Sequence, residues 1–232
     1  MHKHYLRPSF HPDYEECEDC GTLINQKPFD HAAVYGGDYW NQPGRSTLAE
    51  QVYNVATYEN PEGVTKIQAV LEHCPVGVAV LEIACAPGSL MEQLHRNFDE
   101  ILGIEVDERY RQQIQKIGGP RSYVFTGYFP ELTKCWRSGT YDCIIGMDIL
   151  EHAEDGEAFM TEVHRLLKPG GAGIFMLPML MDDGQPIPDG MFCDEHRAIY
   201  TQRYVKEWMG EMFGEVKFDR WVAGHEIVVV KK

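Results

Sequence analysis

From Val78 to Ile83 the chain reads V-A-V-L-E-I, apolar and β-branched with little polar alternation, the pattern of a strand buried on both faces. Small residues follow, Ala84-Cys85-Ala86-Pro87-Gly88, and then S-L-M-E-Q-L-H, so the backbone turns tightly and enters a helix that runs to about Asn97. The rhythm recurs. Ile101 to Asp107 predicts a second strand ending at Glu105, with Asp107 capping the next helix, and Ser122 to Phe125 predicts a third. Tyr141 to His152 reads as a buried strand ending in a polar cluster; Phe159 to Gly171 as an amphipathic helix stopped by Pro-Gly-Gly; and Ala172 to Pro178 as the next strand. A helix from Gln202 to Phe213 and a strand from Glu226 to Val230 close the chain, and two amphipathic helices, Thr47 to Tyr58 and Gly63 to Cys74, precede the first strand. Alternating strands and helices predict an α/β fold with a parallel sheet, whose ligands bind outside the carboxyl ends of the strands.

Residues 1–45 break the pattern, being rich in His, Tyr, Pro, Asp and Glu with no sustained period. They predict an N-terminal cap with little regular structure, leaving residues 46–232 as the main domain. Within the cap, Cys17 and Cys20 of C-E-D-C-G have the spacing of half a zinc knuckle, with His2, His4 and His11 as candidates to complete it. A turn without metal is the competing reading. The segment from Pro178 to Arg197 falls where a loop would cover a bound ligand.

Charge narrows the partners. With 21 basic and 36 acidic residues the chain carries −15 and no basic cluster, which makes nucleic acid a poor partner. No apolar run reaches the length of a membrane span, and the N-terminus lacks a signal-peptide core, so a cytoplasmic protein is expected. Most of the seven cysteines, which apart from Cys17 and Cys20 are scattered through apolar segments, are expected to be small reduced core residues rather than a disulfide framework.

The turn after the first strand separates two cofactor classes. A dinucleotide fold needs G-x-G-x-x-G, and Ala84, Ala86 and Ser89 stand at those positions, so that class is disfavoured. Glu82, Ala84, Ala86 and Gly88 instead resemble the acid-x-G-x-G-x-G turn of class I S-adenosylmethionine-dependent methyltransferases, with alanine at two glycine positions; some RNA methyltransferases have a similar Ala-Ala-Pro-Gly turn. The later motifs are more specific: D-x-I-I-x-x-D-x-L-E-H from Asp142 to His152, then R-L-L-K-P-G-G and a strand ending at Pro178 resemble the small-molecule members of that class. The resemblance covers roughly residues 76–215 and implies a Rossmann-like, doubly wound, seven-stranded sheet, mostly parallel with an antiparallel C-terminal strand.

It also implies site residues. Glu82, Ala84, Cys85, Ala86 and Gly88 would cradle the cofactor, Glu105 would take its ribose hydroxyls with Val106 beside it, and Gly127, Tyr128, Met147 and Asp148 would complete the wall. From the cap, Tyr35, Tyr39 and Arg45 are candidates to cover its carboxylate, because an arginine binds a carboxylate bidentately. Methyl transfer from a sulfonium is an in-line displacement, which leaves the enzyme to position the acceptor and remove its proton. His152 and His196 suit proton removal, and Asp148 with Glu151 suits orienting an amine or base, or holding a divalent ion with a carboxylate such as Asp182. The leading expectation is methyl transfer to a hydroxyl or amine of a small molecule such as a sugar, quinone or natural-product intermediate. An RNA methyltransferase and a non-catalytic relative remain as alternatives.

Overall fold

A computed structural model describes residues 4–35, 61–74, 78–117, 122–181, 190–222 and 224–232. The helix expected over Thr47 to Tyr58, and the candidates Tyr39, Arg45 and Asp182, lie outside the described residues.

The central sheet is built from β4 (Ala79–Ile83), β5 (Glu100–Glu105), β6 (Ser122–Thr126), β7 (Tyr141–Met147), β8 (Leu167–Leu180), β10 (Glu215–Val222) and β11 (His225–Lys231). In space the order is β6-β5-β4-β7-β8-β11-β10, with β4 to β8 parallel and β11 antiparallel to both of its neighbours. The strand order reverses between β4 and β7. That reversal opens a crevice at the carboxyl ends of β4 and β7, the place where a doubly wound sheet receives a ligand.

Helices cover both faces, which is why the strands read as unbroken apolar runs. Val80, Cys143, Ile145, Ile174 and Met176 pack against α2 (Pro61–His73), α3 (Ser89–Leu94) and α4 (Glu108–Ile117). Leu81, Ile83, Ile144, Phe175 and Leu177 point the other way, against α5 (Gly156–Leu166) and α6 (Gln202–Phe213). Neighbouring residues of one strand thus enter opposite cores. Asp155 and Thr201 start α5 and α6 by accepting from the N–H groups of Ala158 and Tyr204, and Gly214 follows α6 at φ 82°.

The cap departs from expectation. It folds into β1 (Leu6–Pro8), β2 (Tyr14–Cys17) and β3 (Leu23–Asn25), followed by a short α1 (His31–Tyr35). These antiparallel strands extend the main sheet through β9 (Ala198–Thr201), where Leu23 pairs with Ile199, and β9 in turn pairs with Met179 and Leu180 at the far end of β8. Strands of three and four residues are too short to display a period, so they were invisible to the pattern.

Two further expectations need correction. Pro-Gly-Gly does not end α5; the helix stops at Leu166 and β8 runs from Leu167 through those residues, held where Gly170 N donates to Lys232 O (2.6 Å) and Lys168 Nζ to Asp142 (2.7 Å). Nor does the covering loop begin at Pro178, because β8 continues to Leu180. Most of the cysteines are free as expected, Cys17, Cys20, Cys85, Cys135 and Cys193, while Cys74 after α2 is disulfide-bonded to Cys143 of β7, with Cα atoms 6.0 Å apart. Burial of the pair between helix and sheet brings together two residues that sequence spacing had not associated.

Candidate active site

A cavity of about 1060 Å³ opens at the carboxyl ends of β4, β5, β6 and β7. One wall is mostly backbone. Glu82 at the end of β4, Ala84, Cys85 and Ala86 of the turn, Glu105 and Val106 after β5, Gly127 and Tyr128 after β6, and Met147 and Asp148 after β7 all line it. Gly88 does not; it lies buried behind the turn at φ 94°, opening α3.

Glu105 is held rigidly. Ala86 N donates to its Oε2 (3.1 Å) and Asp107 N to its Oε1 (3.0 Å), leaving the second lone pair of each oxygen for two adjacent hydroxyl donors. Burial raises its pKa against those two hydrogen bonds, and burial pushes Glu82 up to about 8, with Lys66 acting in the opposite direction and Glu105 reinforcing the rise. The turn carries strain where a family glycine is replaced: Ala84 has φ 56°. A side chain in this region costs about 1–2 kcal/mol. Asp148, at φ 54°, repeats the conformation at the end of β7, so both strands that flank the crevice end in a left-handed residue.

The other wall gathers ionisable groups. Asp148 pairs with Lys66 of α2 (2.9 Å) and faces His225 Nε2 of β11 (3.7 Å). His152 lines the cavity with its Nδ1 2.9 Å from the Tyr35 hydroxyl and 3.1 Å from the carbonyl of Glu195. Because a carbonyl only accepts, Nδ1 carries the proton and Nε2 the lone pair. His196 sits behind it, ring centroids 4.9 Å apart, with Nδ1 on the carbonyl of Met191 (2.7 Å), and burial lowers its pKa. Glu151 is fully buried between them, and burial raises its pKa well above the carboxylate range, with the Asp148 charge adding to the effect.

Residues 54–214 match the family model described as a methyltransferase domain, which is more than half of the chain. The chain belongs to that family. A sarcosine/dimethylglycine N-methyltransferase of Aphanothece halophytica is 27% identical over 206 residues, covering 84% of this chain and 71% of its own. A ubiquinone biosynthesis O-methyltransferase of Pectobacterium atrosepticum is 28% identical over 102 residues, 43% of this chain and 42% of the relative. Among solved structures, an O-methyltransferase family protein from Burkholderia thailandensis superposes with TM-score 0.63 at 16% identity, over 86% of this chain and 63% of that one. Geranyl diphosphate C-methyltransferase from Streptomyces coelicolor, solved with magnesium, its substrate and S-adenosyl-L-homocysteine, gives TM-score 0.59 at 12% identity over 86% and 85%. This is a class I methyltransferase of the small-molecule kind, and its methyl donor is S-adenosylmethionine.

Of the expected site residues, Glu82, Ala84, Cys85, Ala86, Glu105, Val106, Gly127, Tyr128, Met147, Asp148 and His152 line one cavity, whereas Gly88 and His196 do not. Tyr35 lines the cavity with its hydroxyl 2.9 Å from His152 Nδ1. Cys17 and Cys20 are remote from the cavity; they lie with His4 such that one ligand atom from each falls within 4.8 Å of the others. Their turn docks on the start of α6, where Thr201 Oγ1 donates to Cys20 O (2.8 Å). Sequence reasoning missed Lys66, His225 and the aromatic face of Phe29, His31, Phe129 and Phe159. Only the amphipathic period of α2 offered any signal for Lys66. Among the described residues, no helix is long and apolar enough to cross a membrane.

Proposed function

We propose that this methyltransferase transfers the methyl group of S-adenosylmethionine to a hydroxyl or amine of a small, flat, neutral or cationic acceptor, and that the acceptor's proton leaves through His152. The observation that carries the reading is His152 at the cavity wall, oriented by Glu195 O and Tyr35, in the same cavity as the anchored Glu105. Glu105 holds the ribose, the 84–88 turn receives the amino-acid end, and the sulfonium faces the Asp148 side. The acceptor lies against Phe29, His31 and Tyr35 of the cap, which are aromatic and leave little room for a long polymer. Asp30, Glu131, Glu154 and Asp155 also line the cavity, so anionic acceptors are disfavoured.

The step balances without a redox partner. The acceptor oxygen or nitrogen loses its proton and attacks the methyl carbon, the carbon–sulfur bond breaks with its electron pair on sulfur, and S-adenosylhomocysteine departs. The segment between β8 and β9 is proposed to exclude water while this happens. The relatives' own names frame the test: release of S-adenosylhomocysteine is measured with sarcosine, dimethylglycine and a set of phenols and amines. Turnover with one of these, lost on replacing His152, supports the reading; cofactor binding with no turnover on any hydroxyl or amine favours a non-catalytic relative.

The cap is proposed as a domain-like appendage over residues 1–45 that holds zinc through Cys17, Cys20 and His4. Two buried cysteines and an imidazole fit zinc's preference for sulfur and nitrogen donors, although burial raises the Cys20 thiol. Protein purified without chelator should contain about one equivalent, removed by changing both cysteines to serine. Metal-free protein would leave the turn held by its own backbone hydrogen bonds, Gly21 N to Cys17 O and Cys17 N to Thr22 O, and by its docking on α6.

A further inference from the structure

Behind the cavity lies a carboxylate that none of the described residues satisfies with a hydrogen bond. Glu151 is 0% exposed, and neither Oε1 nor Oε2 makes a hydrogen bond. A buried carboxyl in that state needs a proton or a cation. The groups around it are the ones that bind cations. His152 and His196 each place a ligand atom within 4.8 Å of Glu151 and of one another, with His152 Nε2 3.8 Å from Oε1.

Both imidazoles are set in the tautomer that ligation requires. His152 Nδ1 is committed to Glu195 O and His196 Nδ1 to Met191 O, so each ring keeps its lone pair on Nε2. An imidazole whose other nitrogen donates to a backbone carbonyl is the usual form of a histidine ligand, because that bond fixes ring orientation and raises basicity. Asp148 and His225 also bring ligand atoms within 4.8 Å of Glu151, and Asp148 and His152 line the cavity.

We propose that Glu151, His152 and His196 form a site for one divalent first-row transition ion, opening toward the acceptor. Two imidazoles and one carboxylate favour manganese, iron, cobalt or zinc over magnesium and calcium, which prefer oxygen alone. Three protein donors leave coordination positions for an acceptor oxygen or nitrogen. Glu151 and Asp148 together supply two negative charges against the ion's two positive charges. The inference rests on the function proposed above for the location of the acceptor, and it revises one step: with the ion in place, His152 acts on the proton by holding the metal that acidifies the bound group, instead of taking the proton itself.

The test uses the full chain with Cys17 and Cys20 changed to serine, stripped with chelator and titrated with Mn²⁺ by electron paramagnetic resonance. One ion should bind per chain. Glu151→Gln and, separately, His196→Ala should each weaken binding at least about 10-fold, the range in which even outer-shell partners act. S-adenosylmethionine affinity and circular dichroism should stay unchanged in both, which separates a lost ligand from a lost fold. Equal Mn²⁺ affinity in the parent and in either correctly folded variant would overturn the site, as would displacement of Mn²⁺ by an equal concentration of Mg²⁺. A parent that binds S-adenosylmethionine but no Mn²⁺ contradicts the metal site and leaves the function standing. Loss of S-adenosylmethionine binding by the parent contradicts the function itself.

Discussion

The cofactor wall comes largely from one continuous run, Glu82 to Tyr128, in which each strand end delivers its residues in order. The wall proposed for the acceptor takes Tyr35 from the cap, Lys66 from α2, and Asp148 and His152 from the segment after β7, while His196 from the segment before β9 and His225 from β11 touch these residues without lining the cavity. On the proposed reading the first wall meets the donor with backbone groups and one acid, Glu105, held by Ala86 N and Asp107 N. The second uses side chains whose protonation matters. A donor common to many reactions calls for a fixed frame, whereas an acceptor particular to one enzyme calls for side chains that change freely.

The largest effect expected is on turnover. His152→Ala should lower kcat by about 10²- to 10⁴-fold, the usual contribution of a positioned acid–base group. Tyr35→Phe, which removes the hydroxyl beside Nδ1, should cost less and leave cofactor affinity intact. If His152→Ala reduces turnover only a few-fold, the acceptor wall works by proximity alone and the contrast between the walls weakens.

Stability should next report the buried acids. Between pH 6.5 and 8 the folded chain holds protons on Glu82, raised by burial to about 8, that the unfolded chain has already released, so stability falls as pH rises through that window. Glu105, also raised by burial, acts in the same direction. His196, lowered from 6.5, opposes this only at lower pH, where the unfolded chain takes up the proton. Thermal melts of the cofactor-free protein across this range should drop steadily, and Glu82→Gln should flatten the slope. A melting temperature that rises with pH would contradict the protonated state of Glu82.

The smallest effect concerns the departure from the family turn. Ala84→Gly should relieve the left-handed strain at φ 56°, raising stability by up to about 1 kcal/mol after the entropy lost on adding a glycine. A destabilised variant would show that the Ala84 methyl packs against something worth more than the strain.

Much of the cofactor wall was legible because strand ends announce themselves: β-branched runs stop at small residues, and Glu105 follows its strand by position alone. The positions of β4 to β7, and of α6, were likewise written in apolar runs and periods. The cap was not, since β1 to β3 are shorter than a period and acquire their order from pairing with β9. The acceptor wall was legible in part. His152, His196 and Asp148 stood out as residue types, but the meeting of Tyr35 with His152, and of His152 with the Glu195 carbonyl, depends on contacts across 117 and 43 residues, which no local pattern encodes.

The separation of the two walls is tested most directly by calorimetric titration of S-adenosylmethionine into the parent chain, Glu105→Ala and His152→Ala. Removing Glu105 takes away hydrogen bonds to a charged acceptor, each worth about 1.5–3 kcal/mol, so affinity should fall at least about tenfold. His152→Ala should bind the donor as the parent does. Unchanged affinity in Glu105→Ala, or an equal loss in both variants, would contradict the division of the cavity into a donor wall and an acceptor wall.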